Sequence, residues 1–246
     1  MLTQEDYRIG WICALHLELT ATEDDENTYV LGGIGQHNIV IACLPAGVYG
    51  TTSATAVALQ MRASFTAMRF CLMVGIGGGA PTPEADIRLG DVVVSKPTAG
   101  YGGVFQYDYG KAVAGGEFLA TGSLDKPPAV LLTAISRIQA RHHLHGNNIR
   151  GIYEEVLGKY KALAGTFVGY DHVEPLETHC RSCDKNMLVV RRSRSHDQPR
   201  VFYGLIASAN QVLRDSVRRY ALSQKHGILC FEMKAAGMMD DIIRRT

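Results

Sequence analysis

Two charged side chains of this 246-residue sequence stand where a strand is predicted to end, the position at which α/β sheets usually bind small molecules. Glu18 follows the first apolar run, and its carboxylate could act as a general base. Lys234 follows the last predicted strand, beside Glu232 and Met233, and its amine could supply a cation, an acid or an imine-forming nucleophile. A solvated residue in the first turn of a helix is the alternative interpretation of both side chains.

A glycine-rich segment, GIGGGA at residues 75–80, follows an apolar run and fits the G-x-G-x-x-G/A pattern of dinucleotide-binding turns. A dinucleotide site needs this turn to open directly into a helix, and two prolines follow within three residues. No nicotinamide or flavin cofactor is therefore expected. Gly75, Ile76 and Gly77 instead predict a tight loop where the backbone can approach a ligand closely, or a purely structural turn.

A second loop, AGVYGTTS at residues 46–53, joins a predicted strand to a predicted helix with small and hydroxyl residues. It contains Gly47 and Thr51. Because the first amides of a helix lack partners within the helix, they can hold an anion or a polar ligand group. A capped helix without a ligand is an equally good interpretation of this segment.

The overall composition excludes several classes of function. The chain has 25 basic and 24 acidic side chains, so it lacks the basic excess of proteins that bind nucleic acid. No apolar run approaches the ~18–20 residues that span a bilayer, so no membrane partner is expected. The amino terminus has neither the basic segment nor the cleavage pattern of a secretory leader. A cytoplasmic protein with a small-molecule substrate is the expectation.

The six cysteines predict no metal or cofactor site. Four of them lie inside apolar runs and are predicted to be buried thiols: Cys13, Cys43, Cys71 and Cys230. Cys180 and Cys183 form one C-x-x-C between polar segments. Zinc would require a second ligand pair at suitable spacing, and a redox motif would require a strand before the pair and a helix after it. A surface loop is the preferred interpretation of this pair.

Apolar runs alternate with segments of helical spacing along the whole chain. Predicted strands cover residues 7–15, 29–31, 38–44, 70–74, 89–95, 201–208 and 228–231. Predicted helices cover residues 51–62, 128–143, 212–223 and 233–243. Because the central strands are apolar on both faces, they predict an α/β sheet covered by helices on both sides. One domain, residues 1–246, is expected, with a polar and irregular excursion at about 165–199.

Six segments, in this order, resemble the nucleoside phosphorylase and nucleosidase superfamily, particularly the purine and uridine phosphorylase-like domains at the front of many fungal chains with NTPase and repeat regions. They are IGWICALHLE (9–18), CLPAGVYGTTSATAVA (43–58), LMVGIGGG (72–79), DIRLGDVVVS (86–95), YGLIASANQV (203–212) and ILCFEMKAAGMM (228–239). The resemblance implies a three-layer sandwich, with a mixed central β-sheet flanked by helices and a shortened C-terminal part. It also implies a homo-oligomer.

The resemblance implies roles for three parts of the proposed site. Glu18 falls where methylthioadenosine/S-adenosylhomocysteine nucleosidases have the glutamate that activates the attacking water. The glycine segment 75–77 matches residues that lie beside the base and the ribose. Met233 matches the methionine that packs against the sugar. The resemblance thus places Glu18 and the glycine segment 75–77 in one site.

Residues 208–213 resemble a stretch of the family that recognises the edge of the purine. The stretch begins at Ser208 and includes Asn210, and the recognition is made by the backbone at positions that match Val212 and Leu213. The resemblance therefore adds a base-binding loop that the residue types alone do not predict.

Four features depart from the family's pattern. Lys234 replaces the glutamate that binds the ribose hydroxyls, and a charged lysine cannot accept a hydrogen bond. The aspartate that protonates the departing purine lies on a strand after the last helix, which this sequence does not reach. The segment between Glu18 and Tyr29 is short for the usual first helix. Met73 and Ile76 occupy the positions of the arginine and serine of bacterial phosphorylases, which favours water over phosphate as the nucleophile.

Three hypotheses of function follow from these residues. The first is an enzyme that cleaves the N-glycosidic bond of a purine nucleoside with water, using Glu18. The second is the same pocket repurposed for non-glycosidic chemistry on another small molecule, such as a fungal secondary metabolite, with Lys234 as the new functional group. The third is a nucleoside-binding or scaffold domain without turnover. The first is preferred, although a fold alone does not determine function.

Overall fold

A computed structural model describes residues 2–13, 20–21, 27–98, 100–114, 118–160, 194 and 198–239. Glu18, Cys180 and Cys183, most of the predicted excursion at 165–199 and the end of the predicted helix 233–243 lie outside the described residues.

The first sheet has five strands, in the order β2-β3-β4-β1-β5. They are β1 (Ile9–Cys13), β2 (Thr20–Ala21), β3 (Thr28–Ile34), β4 (His37–Cys43) and β5 (Phe70–Val74). β1 pairs in parallel with β4 and with β5, whereas β3 and β4 form an antiparallel hairpin. Gly35 makes the hairpin turn in the left-handed region, with φ +59°, where a side chain is disfavoured.

Helix α1 (Thr51–Ser64) covers one face of this sheet. Its buried residues recur at helical spacing and form one apolar stripe: Ala54, Val57, Ala58 and Met61. Phe65, directly after the helix, packs edge-on against Tyr7 and Tyr29, with ring centroids 5.7 and 5.2 Å apart. These three aromatic side chains belong to the apolar core between α1 and the first sheet.

The second sheet is built around one long strand. Its strands are β6 (Gly78–Gly79), β7 (Val92–Ser95), β8 (Val104–Gln106), β11 (Val201–Ser208) and β12 (Ile228–Glu232), whereas β9 (Gly110–Ala112) and β10 (Phe118–Ala120) pair only with each other. β11 pairs in parallel with β7, β8 and β12, and β6 runs antiparallel to β12; the β9-β10 pair is separate. Strands of both orientations with flanking helices confirm the predicted α/β class.

In the described ranges four further α-helices follow, α2 (Ala129–His145), α3 (Ile149–Lys159), α4 (Ser216–His226) and α5 (Ala236–Met239), and a short 3-10 helix (Gln4–Asp6) precedes β1. α2 touches β11 where the Tyr203 hydroxyl lies 3.0 Å from Nδ1 of His142. α4 joins β12 where the buried Ser223 hydroxyl donates a hydrogen bond to the carbonyl of Ile228. Within the described part of the chain, no helix has the length and apolar character that a membrane crossing requires.

The prediction for α4 was wrong at its start. The expected helix over 212–223 begins instead at Ser216, because the Asp215 carboxylate accepts hydrogen bonds from the amides of Val217 and Arg218, both at 3.0 Å. An aspartate in this position caps a helix and defines its first residue. Residues 209–215 therefore form a loop, and the helix ends at Gly227, which has φ +70°.

A buried ion pair connects residue 194 to the start of β7. The Arg194 guanidinium donates two hydrogen bonds to the Asp91 carboxylate, at 2.9 and 2.6 Å, and the two side chains are only 7% and 0% exposed. The backbone amides of Arg88 and Arg200 also donate to Asp91, at 2.8 Å each. Burial opposes ionisation of Asp91, but these hydrogen bonds outweigh it and lower the pKa of the carboxyl below its ordinary value.

We expect Asp91→Asn to lower the free energy of unfolding by about 3 kcal/mol at neutral pH, because the buried guanidinium of Arg194 loses its main partner and keeps only Asp86, whose carboxylate lies 3.7 Å from Nε. The lowered pKa means that the ionised carboxyl stabilises the fold above the unfolded-state pKa of about 3.9, and that this contribution disappears as the pH falls through the folded-state pKa. Denaturant unfolding measured from pH 7 to pH 3 should therefore show that the free energy of unfolding falls less steeply at acid pH in the variant than in the unmodified chain.

The matched control is Glu154→Gln. Glu154 pairs with Arg150 on the surface of α3, and its side chain is 62% exposed. Removing an exposed pair one helical turn apart should change stability by about 0.5 kcal/mol or less. Equal destabilisation by the two variants would contradict the assignment of Asp91 to a buried ion pair.

Candidate functional site

The two sheets meet at the carboxyl ends of β4 and β11. Thr51, which follows β4 through the loop 44–50, donates from its backbone amide and its hydroxyl to Oδ1 of Asn210, at 2.8 and 3.0 Å. Asn210 follows β11 by two residues. One carboxamide oxygen therefore joins the start of α1 to the loop after β11, and two of the segments predicted to bind substrate lie in contact.

Asn210 is itself held by the segment that follows β8. Its amide donates to Oδ2 of Asp108 at 2.8 Å, and the Gln106 side chain donates to the other oxygen of Asp108 at 3.0 Å. The Tyr107 hydroxyl donates to the carbonyl of Gln211 at 2.8 Å. The sequence analysis missed these three residues, because β8 is too short to show a period. The polar residues at the end of the run VFQYD, residues 104–108, were the sequence feature that could have indicated these three positions.

Tyr107 remains a neutral hydrogen-bond donor in this position. Its side chain is buried and packs edge-on against Phe231, with ring centroids 5.6 Å apart. Burial raises the pKa of its hydroxyl, the Asp108 carboxylate raises it further, and Arg218 opposes them. Because a neutral phenol keeps its proton, Tyr107 can hold the loop 209–215 at any physiological pH.

Glu232 and Ser208 shape the turn that carries Lys234. The Glu232 carboxylate accepts hydrogen bonds from the amides of Lys234 and Ala235, at 2.7 and 3.0 Å. The fully buried Ser208 hydroxyl accepts one from the amide of Ala236 at 3.0 Å. Three consecutive amides at the start of α5 are thus satisfied by side chains at the ends of β11 and β12.

The Lys234 amine lies beside the glycine segment 75–77. A Cβ built on Gly75 would lie 4.0 Å from Nζ of Lys234, so the amine faces this open part of the backbone. The side chain of Ile76 is 72% exposed next to it. At Gly77 a Cβ would come within 3.2 Å of the Phe231 carbonyl, which explains why the backbone needs glycine to pass so close to β12.

Helices α1 and α5 also touch through backbone. The Thr55 hydroxyl lies 2.5 Å from the carbonyl oxygen of Gly237 and 2.9 Å from that of Thr51, and its single proton can be donated to either. A Cβ on Gly237 would lie only 2.1 Å from the Thr51 carbonyl oxygen. The absence of a side chain at residue 237 therefore permits the Lys234 turn to pack directly against the start of α1.

The other predicted site residues lie at the margin of this edge. Gly47 is exposed, with φ +75°, in the loop before α1. Val212 is 61% exposed, whereas Leu213 packs against the core of the second sheet, and no group in the described ranges hydrogen-bonds to the backbone of either. Met233 is half-buried. Glu18 lies outside the described residues.

A cavity of about 250 Å³ lies next to β8, on the side of Gln106. It is lined by aromatic and small polar residues, among them Tyr101, Phe105, Tyr109 and Ser123. Because Gln106 also donates to Asp108, the cavity borders the hydrogen bonds that hold Asn210. Among the residues that the structure describes, no three histidine, cysteine or carboxylate side chains are arranged to hold a metal ion.

We expect Gly50→Ala to destabilise the protein by about 1–3 kcal/mol, because Gly50 has φ +110° and ψ 173°, a conformation that is essentially confined to glycine. A Cβ there would also lie 2.7 Å from Oδ1 of Asn210, the atom that accepts from Thr51. Chemical denaturation measures the change. Gly32→Ala in β3 is the control, since nothing lies within 4 Å of its Cβ. Equal unfolding midpoints for the two variants would contradict this role of Gly50.

No family model matches the chain. A nucleotide-binding leucine-rich repeat (NLR)-like protein of Hyaloscypha variabilis is 40% identical over 258 aligned residues, which cover 97% of this chain and 26% of that protein. The chain thus spans about a quarter of the length of the curated relative that it matches.

Several solved structures have the same arrangement of strands and helices. The 5′-methylthioadenosine/S-adenosylhomocysteine nucleosidase of Helicobacter pylori, with 5′-methylthioadenosine in its active site, matches with a TM-score of 0.54 at 13% identity, over 95% of this chain and 78% of that one. Futalosine hydrolase of the same organism matches with a TM-score of 0.52 at 14% identity, over 96% and 78%. The nucleosidase of Colwellia psychrerythraea, in complex with adenine, gives 0.53 at 15% identity, over 96% and 76%. The chain therefore has the fold of the methylthioadenosine/S-adenosylhomocysteine nucleosidases and futalosine hydrolase.

Proposed function

We propose that this chain binds a purine nucleoside at the edge shared by its two sheets and cleaves the N-glycosidic bond with water. The observation that carries this proposal is the junction at Asn210, where the loop after β11 meets the start of α1 beside the glycine segment 75–77 and the Lys234 turn. Structures with this fold contain 5′-methylthioadenosine or adenine, which supports a purine ligand.

The proposed reaction divides the site into three parts. The backbone at Val212 and Leu213 would bind the edge of the base, and Met233 would pack against the sugar. Glu18 would orient or deprotonate the water that attacks the anomeric carbon, as the carboxylate of a general base does. The departing base needs a proton, and the Lys234 ammonium beside Gly75 is the cation that the described edge offers to it.

Water is the nucleophile that we propose, because a bound phosphate requires several converging donors, usually including an arginine. The glycine segment presents the exposed apolar side chain of Ile76 instead, and Met73, two residues before the segment, packs against the core of the first sheet. Lys234 contributes a single ammonium at this place. One cation without an arginine fork is a poor cradle for a tetrahedral anion.

The position of Lys234 also favours a second candidate function. The Glu232 carboxylate is engaged by the backbone of its own turn, and the Lys234 amine lies beside the open glycine segment. Such an amine could condense with a ligand carbonyl, forming an imine and releasing water. The family pocket would then carry out non-glycosidic chemistry on another small molecule.

The similarity to an NLR-like protein supports a wider proposal about context. We propose that the chain corresponds to the purine and uridine phosphorylase-like domains that stand in longer fungal chains, and that it assembles as a homo-oligomer. In such a protein the site could serve as a nucleoside-binding module without turnover. Binding of adenine without any conversion of nucleosides would support this third role.

Base release from a panel of nucleosides, with and without phosphate, tests these alternatives. We expect free adenine from 5′-methylthioadenosine or adenosine in the absence of phosphate. Glu18→Gln should reduce the rate by about 10²- to 10⁴-fold, as the loss of a positioned general base does. Glu84→Gln is the matched control, since Glu84 is an exposed carboxylate outside the site, and it should leave the rate unchanged.

Lys234→Met, compared with Glu18→Gln, separates the glycosidase from the repurposed site. In the glycosidase, we expect it to slow base release by about 10²-fold or more, as the loss of a proton donor does, while adenine still binds. Lys225→Met is the control, because Lys225 is exposed in the last turn of α4, before the opposite end of β12. A conversion that survives Glu18→Gln but disappears with Lys234→Met, and a borohydride-trapped adduct on Lys234, would reject glycoside hydrolysis in favour of amine chemistry.

A further inference from the structure

Two cysteines face each other across the paired ends of β1 and β4. Cys13 and Cys43 are the last residues of these parallel strands and are partners in their register. Their sulfur atoms lie 3.0 Å apart, and the Cys13 thiol also lies 3.6 Å from the carbonyl of Ala42. The contact between the two sulfurs is thus built into the strand pairing and does not depend on a flexible loop.

This geometry suits a disulfide bond. Neighbouring strands lie about 4.7–4.9 Å apart, and disulfides form when the two Cα atoms are about 4.4–6.8 Å apart. The sulfurs have to approach by only about 1 Å to reach the bond length of about 2.05 Å. Small rotations of the two side chains can supply this movement without displacing the strands.

We propose that Cys13 and Cys43 are a redox-modification site, where peroxide converts the two thiols into a reversible disulfide between β1 and β4. Cys43 is the residue that reagents reach first, since it is partly exposed, whereas Cys13 is only 8% exposed. The pair thus consists of an accessible sulfur and a buried sulfur that resolves the oxidised intermediate.

The reaction is a two-electron oxidation with hydrogen peroxide as the oxidant. The Cys43 thiolate attacks one peroxide oxygen, the O–O bond breaks, and Cys43 becomes a sulfenic acid as the released hydroxide takes up a proton to give water. The Cys13 thiolate then attacks the Cys43 sulfur, so that the S–S bond forms, the S–O bond breaks and a second water leaves. Two thiols and one peroxide give one disulfide and two waters, and a dithiol reductant reverses the change by exchange.

The other described cysteines differ from this pair. Cys71 and Cys230 are buried, and burial raises the pKa of each thiol to about 12. Because the thiolate is the reactive form, both should react slowly with peroxide. They therefore serve as internal references for the reactivity of Cys43 in the same protein.

A disulfide here would act on the segments that leave the two strands. Residues 14–19, which include Glu18, follow Cys13, and the loop 44–50 that leads to Thr51 follows Cys43. A covalent link between the strand ends fixes the starting points of both segments. The proposal does not depend on nucleoside cleavage, because the bond is detected directly.

Peptide mapping of the peroxide-treated chain tests the proposal. Residues 9–62 contain no lysine or arginine before Arg62, so trypsin releases both cysteines on one peptide. After alkylation of remaining thiols, we expect this peptide to be two hydrogens lighter and unalkylated. Further cleavage after Glu18, Glu23 and Glu26 should leave its two ends connected, and dithiothreitol should separate them and restore both alkylation sites.

Single variants identify the roles of the two sulfurs. In Cys13→Ser we expect the oxidation to stop at a Cys43 sulfenic acid that a 1,3-dione reagent captures. In Cys43→Ser we expect residue 13 to remain an alkylatable thiol, and Cys71→Ser, the matched control on the adjacent strand β5, should form the disulfide as before. Alkylation of both thiols of the unmodified chain after peroxide treatment, or a link from Cys43 to any cysteine other than Cys13, would overturn the proposal.

Discussion

The hydrogen bonds from Thr51 to the carboxamide oxygen of Asn210 are the constraint on which the candidate site depends. Thr51 belongs to the first sheet and its helix, whereas Asn210 belongs to the second sheet. Their positions follow from different apolar cores, so a polar contact of fixed length is needed to bring the two edges into register. Asp108 supplies this precision, because it holds the Asn210 amide while Gln106 holds Asp108.

The distribution of charge at the edge is the second constraint on function. The Glu232 carboxylate faces its own backbone and completes the turn before α5, so it is a structural acceptor in this protein. Lys234 then presents the opposite charge toward the glycine segment. A ligand held there would meet a hydrogen-bond donor at the position where the resemblance implies a ribose-binding glutamate, and electron-rich groups of the ligand are the natural counterpart.

The predictability of the fold depended on the length of each apolar run. β5 and β11 were predicted with their observed bounds, and α1 was predicted from its first residue. Buried strands and amphipathic helices show a characteristic spacing of apolar residues in the sequence. β8 has three residues and shows no such spacing, so Gln106, Tyr107 and Asp108 were missed. The start of α4 was misplaced because the capping carboxylate of Asp215 outweighed the apolar character of Val212 and Leu213.

The site was predicted as a set of segments and not as a set of contacts. The glycine segment, the Thr51 loop and the Lys234 turn were predicted from their places after strands, since the carboxyl ends of parallel strands share one edge. The Glu232 carboxylate binds the backbone amides of its own turn, whereas the Lys234 side chain is directed toward the glycine segment. The order of residue types does not reveal these amide contacts. Gly237, which the sequence analysis left without comment, belongs to the same class of feature.

Because residue 237 has no side chain, the contact between α1 and α5 leaves no room for any added atom. Here the main chains of α1 and α5 approach so closely that a single methyl group would act as a wedge against the Thr51 carbonyl. Such a wedge would push the turn that bears the amine away from the loop that bears the carboxamide, although neither Lys234 nor Asn210 had been altered. The spacing between these two backbones thus determines whether the edges of the two sheets remain in contact.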